Sequence, residues 1–128
     1  MSQPVKVLIA DDEQIMREGL RLTIDWESYG FSVIGAVSNG EKALRLCEEE
    51  TPDLVITDIR MPVMDGLCAT KEIRRLSRRD ASGIPVIAMT ADAFAEDITV
   101  AMQAGMNAHI AKPIEVQQLY RLIDSFLA

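Results

Sequence analysis

Residues 53–66 read Asp-Leu-Val-Ile-Thr-Asp-Ile-Arg-Met-Pro-Val-Met-Asp-Gly. The run 54–57 is apolar without alternation, and Asp58 follows it at once. A short, continuous run of Leu, Val and Ile marks a strand covered on both faces, as in a parallel sheet. A carboxylate at the carboxyl end of such a strand stands where open α/β sheets build their sites.

Comparable runs lie on both sides of this one: Val5–Ala10, Phe31–Val37, 84–89 and Ala108–Ala111. Between them, apolar residues recur at helical spacing. Met16, Leu20, Thr23 and Ile24 share one stripe; Ala43, Leu46 and Cys47 a second; Ala69, Ile73 and Leu76 a third. Phe94, Ile98, Ala101, Met102 and Gly105 form a fourth, and Leu119, Leu122, Ile123 and Phe126 a fifth. All five read as core stripes. Ser38-Asn39-Gly40-Glu41 reads as a capping box opening the second helix. Thr51-Pro52 closes that helix, Gly105 stops the fourth, and 77–83 is a polar loop. No internal repeat or linker interrupts the pattern, so residues 1–128 are expected to form one domain.

Five strands alternating with five helices predict an α/β fold, a parallel sheet with right-handed crossovers and helices on both faces. The common order for such a (βα)₅ chain is 2-1-3-4-5, the flavodoxin-like arrangement.

Bulk properties exclude several function classes. With 13 basic and 20 acidic residues the net charge is −7, which argues against the domain itself gripping nucleic acid. The basic group Lys71, Arg74, Arg75, Arg78 and Arg79 reads as a solvated helix end. No apolar run approaches membrane length, and the N-terminus shows no secretory pattern, so a cytoplasmic protein is expected. Cys47 and Cys68 lack zinc-site spacing and read as small hydrophobes in a reducing compartment.

Chemistry gathers at the predicted strand ends. Strand 1 ends in Asp11-Asp12-Glu13, strand 3 in Asp58, strand 4 in Thr90 and strand 5 in Lys112-Pro113. The order 2-1-3-4-5 brings these groups to one edge. Crowded carboxylates repel one another and raise one another's pKa unless a cation intervenes. Mg²⁺ takes one or two carboxylates and keeps several waters. Phosphoryl transfer requires positioning and neutralisation of the equatorial oxygens, which a metal, an ammonium and a hydroxyl supply together. Lys112 and Thr90 suit the last two roles. Asp58, central on the edge, is the candidate nucleophile for an aspartyl phosphate.

The segments Val-Leu-Ile-Ala-Asp-Asp-Glu (7–13), 52–66, Ile-Pro-Val-Ile-Ala-Met-Thr-Ala (84–91) and 104–114 together resemble the receiver domains of bacterial two-component response regulators, the CheY-like modules. The resemblance spans nearly the whole chain. It implies a phosphorelay function: Asp58 takes a phosphoryl group from a histidine kinase or phosphotransfer protein in a Mg²⁺- or Mn²⁺-dependent reaction. It implies metal ligation by Asp12, Asp11, Asp58 and the backbone carbonyl of Arg60. It implies phosphoryl stabilisation by Thr90, the Ala91 backbone amide and Lys112, and a cis Lys112–Pro113 peptide. Thr90 and the residue at position 109 are implied to switch the face formed by helix 4, strand 5 and helix 5, toward an output domain or a second receiver. Arg60 and Asp92 match positions that modulate dephosphorylation. Such a domain assists its own phosphorylation and slow dephosphorylation and is not a turnover enzyme. It needs neither nucleic acid nor membrane as a direct partner.

One residue departs from the family pattern. Position 109 usually carries Tyr or Phe, and here it is His109. An imidazole makes the switch polar and open to protonation. The first half of the chain resembles regulators with AraC-type DNA-binding outputs, the second half receivers of hybrid histidine kinases. Other readings of the fold fit less well. A flavodoxin needs a hydroxyl- and glycine-rich first loop, whereas this one is acidic. A haloacid-dehalogenase-type phosphatase needs a second Asp where Arg60 stands. A phosphate-independent interaction module stays as the alternative, against which stands the retention of the acidic pair, Asp58 and Lys112.

Overall fold

The computed structural model describes residues 4–76, 83–90 and 95–127. Five parallel strands form one sheet in the order β2-β1-β3-β4-β5. They are β1 (Val5–Ala10), β2 (Phe31–Val37), β3 (Leu54–Asp58), β4 (Val86–Thr90) and β5 (Ala108–Ala111). The helices are α1 (Gln14–Thr23), α2 (Gly40–Glu50), α3 (Gly66–Arg74), α4 (Ala95–Gln103) and α5 (Val116–Leu127). A single 3₁₀ turn, Glu27–Tyr29, precedes β2.

Both faces of the sheet are covered, which is why its central strands contain no polar alternation. On one face Val7, Ile9, Leu54, Ile56, Ile87, Met89 and Ile110 pack with Leu20 of α1 and with Leu119 and Ile123 of α5. On the other, Leu8, Ala10, Val55, Val86 and Ala88 pack with Ala43 and Cys47 of α2, Ile73 of α3 and Ala101 of α4.

Most predicted element limits hold, and the exceptions have local causes. β4 starts at Val86, two residues later than the apolar run, because Pro85 has no N–H for the ladder; it contributes only its carbonyl, to Val55 N at 2.9 Å. Asn39, not Ser38, caps α2, accepting from Lys42 N at 2.9 Å; the Ser38 hydroxyl instead meets Lys42 Nζ at 3.2 Å. Thr23 and Met102 face solvent, so the first and fourth stripes are narrower than their spacing suggested. Cys68 is exposed and only Cys47 behaves as a core hydrophobe. Phe94 and most of the polar loop, with Arg78 and Arg79, lie outside the described residues.

Gly105 ends α4 as expected. Its φ of +105° is open to glycine and costly for other residues. Gly105 N bonds Met102 O, and Met106 N bonds Ala101 O at 3.1 Å, the paired contacts of a Schellman turn.

The largest revision concerns Arg74. It is not a solvated helix end but a half-buried strut. Its guanidinium donates to Ile84 O at 2.7 Å, to Gly105 O at 2.8 and 3.2 Å, and to Asn107 Oδ1 at 2.8 Å. Asn107 Oδ1 also accepts from Val86 N. One cation thus ties α3 to the entries of β4 and β5. Burial pulls the Arg74 pKa down from its ordinary value.

Candidate functional site

The carboxyl edge of the sheet collects the groups expected there. β1 runs out into Asp11, which is fully buried; its N–H bonds Val37 O at 2.9 Å, and its Oδ1 accepts from Glu13 N at 2.9 Å. Asp12 is exposed beside it. Asp58 closes β3 with its side chain 12% exposed. Thr90 closes β4, buried, and pairs in register with Ala111. Lys112 follows β5, its N–H bonded to Thr90 O at 2.8 Å, and the Lys112–Pro113 peptide is cis.

The Lys112 ammonium is the hub. Its Nζ lies 3.0 Å from Asp11 Oδ2, 3.3 Å from Asp58 Oδ2 and 3.6 Å from Glu13 Oε1. One carboxylate oxygen from each of Asp11, Asp12 and Asp58 falls within 4.8 Å of the others. One cation therefore serves three to four carboxylates, and the group carries excess negative charge. Burial pushes the Asp58 carboxyl above its ordinary 3.8; Lys112 and the Arg60 backbone amide pull it back, the Asp11 charge adds to the rise, and the net shift is upward. Burial alone would lower Lys112, but its contact with Asp11 and the charges of Asp58 and Asp11 outweigh burial and raise it.

At this edge the buried Thr90 Oγ1 lacks a hydrogen-bond partner, while Asp11 Oδ2 has the Lys112 ammonium at 3.0 Å and shares it with Asp58. Buried polar atoms are rarely left without a partner, because each unmade bond costs roughly 1–3 kcal/mol. Hard oxygen donors, surplus negative charge and three carboxylates within reach of one point suit a hard divalent cation such as Mg²⁺. The unsatisfied hydroxyl suits an anionic oxygen placed between it and Lys112.

The loop after β3 is shaped for close approach. A Cβ on Gly66 would collide with the Asp58 carbonyl oxygen, so glycine lets the start of α3 seat directly behind Asp58. Asp65 caps that helix through Cys68 N at 2.8 Å. Val63, at the tip, has φ +67°, a left-handed conformation that a β-branched residue seldom adopts. Glu13 was read at the strand end beside the acidic pair, while Gly66 and Arg17 belong to the surroundings of the site and were absent from the sequence-level set. Gly66 had a signal, an Asp-Gly pair opening a helical stripe; Arg17 had none.

Arg60 stands in this loop, exposed, and its amide is the one acting on Asp58. His109 sits on β5, half-buried, in register with Ala88. Strand alternation puts His109 on the sheet face opposite Ile110, the face that also carries Ala88 and Thr90. Ala91 and Asp92 lie outside the described residues.

An apolar groove runs beside the edge, between α1 and the start of α5. Glu13, Met16, Gly19, Thr23, Ile114 and Val116 are among its walls. Ile15 and Leu22 of α1 are exposed nearby, at 90% and 71%.

The family model of the response regulator receiver domain matches residues 7–124. The chain is 34% identical over 123 residues to the transcriptional regulatory protein YesN of Bacillus subtilis, covering 96% of this chain and 32% of that regulator. It thus spans about a third of the length of that relative. A response regulator from Chloroflexus aurantiacus has a similar structure, with TM-score 0.86, 30% identity and 98% of each chain covered. The receiver domain of a sensor histidine kinase from Pseudomonas aeruginosa, solved with a magnesium ion coordinated in its active site cleft, superposes with TM-score 0.84 at 31% identity, over 97% of this chain and 98% of that one.

Proposed function

This chain belongs to the response regulator receiver family, whose business is phosphorelay signalling, and from that premise we propose that Asp58 is its phosphoacceptor. The single observation that carries this reading is the Lys112 ammonium set between Asp58 and Asp11 at a surplus-charged strand edge. Asp11, Asp12, Asp58 and the carbonyl of Arg60 would hold Mg²⁺ or Mn²⁺. The metal, when bound, neutralises charge on the carboxylates and on an incoming phosphoryl group.

The chain's own groups do the rest. An Asp58 oxygen attacks phosphorus, the P–N bond of a donor phosphohistidine breaks, and the imidazole leaves. Lys112 releases part of its hold on Asp58 and turns to a phosphoryl oxygen, giving a charge-assisted contact. Thr90 Oγ1 gains the partner it lacks, and the Ala91 amide supports the remaining oxygen. Movement of Thr90 then biases His109, two residues back in register on the next strand, and with it the α4–β5–α5 face. The phosphoryl group can shift that equilibrium only by its differential contact with the two states. Arg60 and Asp92 set the rate of hydrolysis by screening the site from water.

The domain is a signalling module that assists its own phosphorylation, acting as one unit over residues 1–128. Its donor is a histidine kinase or phosphotransfer protein. The groove between α1 and α5, with Ile15 and Leu22 beside it, offers that donor an apolar seat next to Asp58. An output domain or a second receiver takes the α4–β5–α5 face. The net charge of −7 disfavours direct nucleic-acid binding. We place the exchange in the cytoplasm on family membership. Among the described residues no helix is long and apolar enough to cross a membrane.

Intact-mass spectrometry after incubation with acetyl phosphate and Mg²⁺ tests the reading. The parent gains one phosphoryl group, EDTA abolishes the gain, and Asp58→Asn shows none. No gain in folded parent protein would instead support the phosphate-independent interaction module.

A further inference from the structure

The acidic turn between β1 and α1 lacks an ordinary helix cap. Glu13, at the N-cap position of α1, makes no side-chain capping bond, and the first turn contains no acidic residue. Backbone carbonyls in the turn ahead of a helix need donors of their own. Here Arg17 supplies one. Its main-chain N–H closes the first turn onto Glu13 O at 2.9 Å. Its half-buried guanidinium reaches back six residues and donates from Nη1 to the Asp11 carbonyl at 2.7 Å. Asp11 is thus held at its N–H by Val37, at its carbonyl by Arg17 and at Oδ1 by Glu13 N. Its remaining oxygen, Oδ2, faces the Lys112 ammonium at 3.0 Å, on the side of Asp58.

We propose that Arg17 is the positioning residue of the metal site: its guanidinium clamps the Asp11 carbonyl and so presents the carboxylates of Asp11 and Asp12 to a divalent cation. The inference rests on the reading of the acidic edge as a Mg²⁺ site and adds to it a residue that touches neither metal nor phosphate.

Coulomb's law and positioning disagree about the sign of the effect. A guanidinium beside an acidic pocket repels an incoming Mg²⁺, so removing it should tighten binding if charge is all that matters. If Arg17 instead fixes the turn, removing it frees Asp11 and Asp12 and weakens binding despite the gain in net negative charge. Partners that orient metal ligands without touching the metal are worth about 10–100-fold in affinity, and the exposed Asp12 places this turn at the low end.

The test is titration of the full chain with Mg²⁺ alone by isothermal calorimetry, paired with thermal melting in EDTA. Arg17→Ala is expected to bind Mg²⁺ about tenfold more weakly, the lower limit for a partner of this kind. Arg17→Gln retains a donor without the charge and is expected to fall between Ala and the parent; it also serves if Arg17→Ala does not fold. Arg21→Ala removes the same charge from the same helix, where it only pairs with exposed Glu18, and should leave the affinity unchanged. Tighter binding by Arg17→Ala, equal affinities for the Ala and Gln variants, or a lowered melting temperature with unchanged affinity would each overturn the proposal. Parent protein whose Mg²⁺ affinity is absent, or indifferent to Asp12→Asn, would remove the metal-site reading and the clamp with it. A parent that binds through Asp12 beside an Arg17→Ala that binds equally well would remove the clamp alone.

Discussion

The two ends of the sheet each hold a half-buried cation, and they use it in opposite ways. At the amino edge, Arg74 donates to two carbonyls and an amide oxygen, all neutral, and the geometry is closed. At the carboxyl edge, Lys112 is shared among three carboxylates, and Thr90 Oγ1 has no hydrogen-bond partner. The first end is satisfied and the second is in deficit. Polar groups that stay buried with their bonding unfinished hold their places only because the surrounding fold over-determines them. Such a deficit is what an incoming ion or phosphoryl group can relieve, so the closed end serves stability and the open end suits the chemistry proposed for it.

That contrast can be broken by measurement. The largest effect is expected from Arg74→Ala: three acceptors lose a charged donor, and chemical denaturation should show a loss of about 3 kcal/mol. In conditions where the variant is folded, its phosphorylation by acetyl phosphate should match the parent. A loss of phosphorylation would show that the two ends are not separable.

At the other edge the sign reverses. Mg²⁺ at 100 times its dissociation constant should stabilise the parent by about 2.7 kcal/mol, and Asp12→Asn should lose most of that gain in the same denaturation assay. A smaller effect concerns charge itself. Because burial holds the Asp58 carboxyl above its ordinary value, its contribution to folding is favourable below the unfolded value of 3.8 and is lost as pH rises through the folded value. In EDTA, Asp58→Asn should therefore melt higher than the parent at neutral pH, and the gap should close as the pH falls to the unfolded value. An Asn variant that is less stable at pH 7 would mean that Lys112 outweighs burial. The smallest effect is at the loop tip: Val63→Asn, which tolerates positive φ, should gain about 1 kcal/mol without changing Mg²⁺ affinity.

Much of this was legible in the residues. Continuous apolar runs reveal strands buried on both sides, and three of the five, Val5–Ala10, Phe31–Val37 and Ala108–Ala111, match the structure at both ends. Asp58 and Thr90 do close their strands. What misled were cases where two local signals competed. Ser38 and Asn39 both suit an N-cap, and only the backbone decides which amide lies within reach. Met102 continues a helical stripe but lies beyond the arc that the sheet covers. Arg74 looked like one of a row of surface cations because its acceptors are 10 to 33 residues away in sequence.

By itself the sequence determined the strand and helix alternation, the chemistry at each strand end, and hence which groups could meet. Those follow from periodicity and from residue type, which are local. The tertiary structure alone decided how the groups share one another: that Lys112 is divided among Asp11, Asp58 and Glu13, that Thr90 Oγ1 is left over, and that Arg17 and Arg74 turn inward to backbone carbonyls. A carbonyl acceptor carries no residue identity, so no side-chain pattern announces it, and whether a charge is satisfied depends on distances that only the packed chain sets.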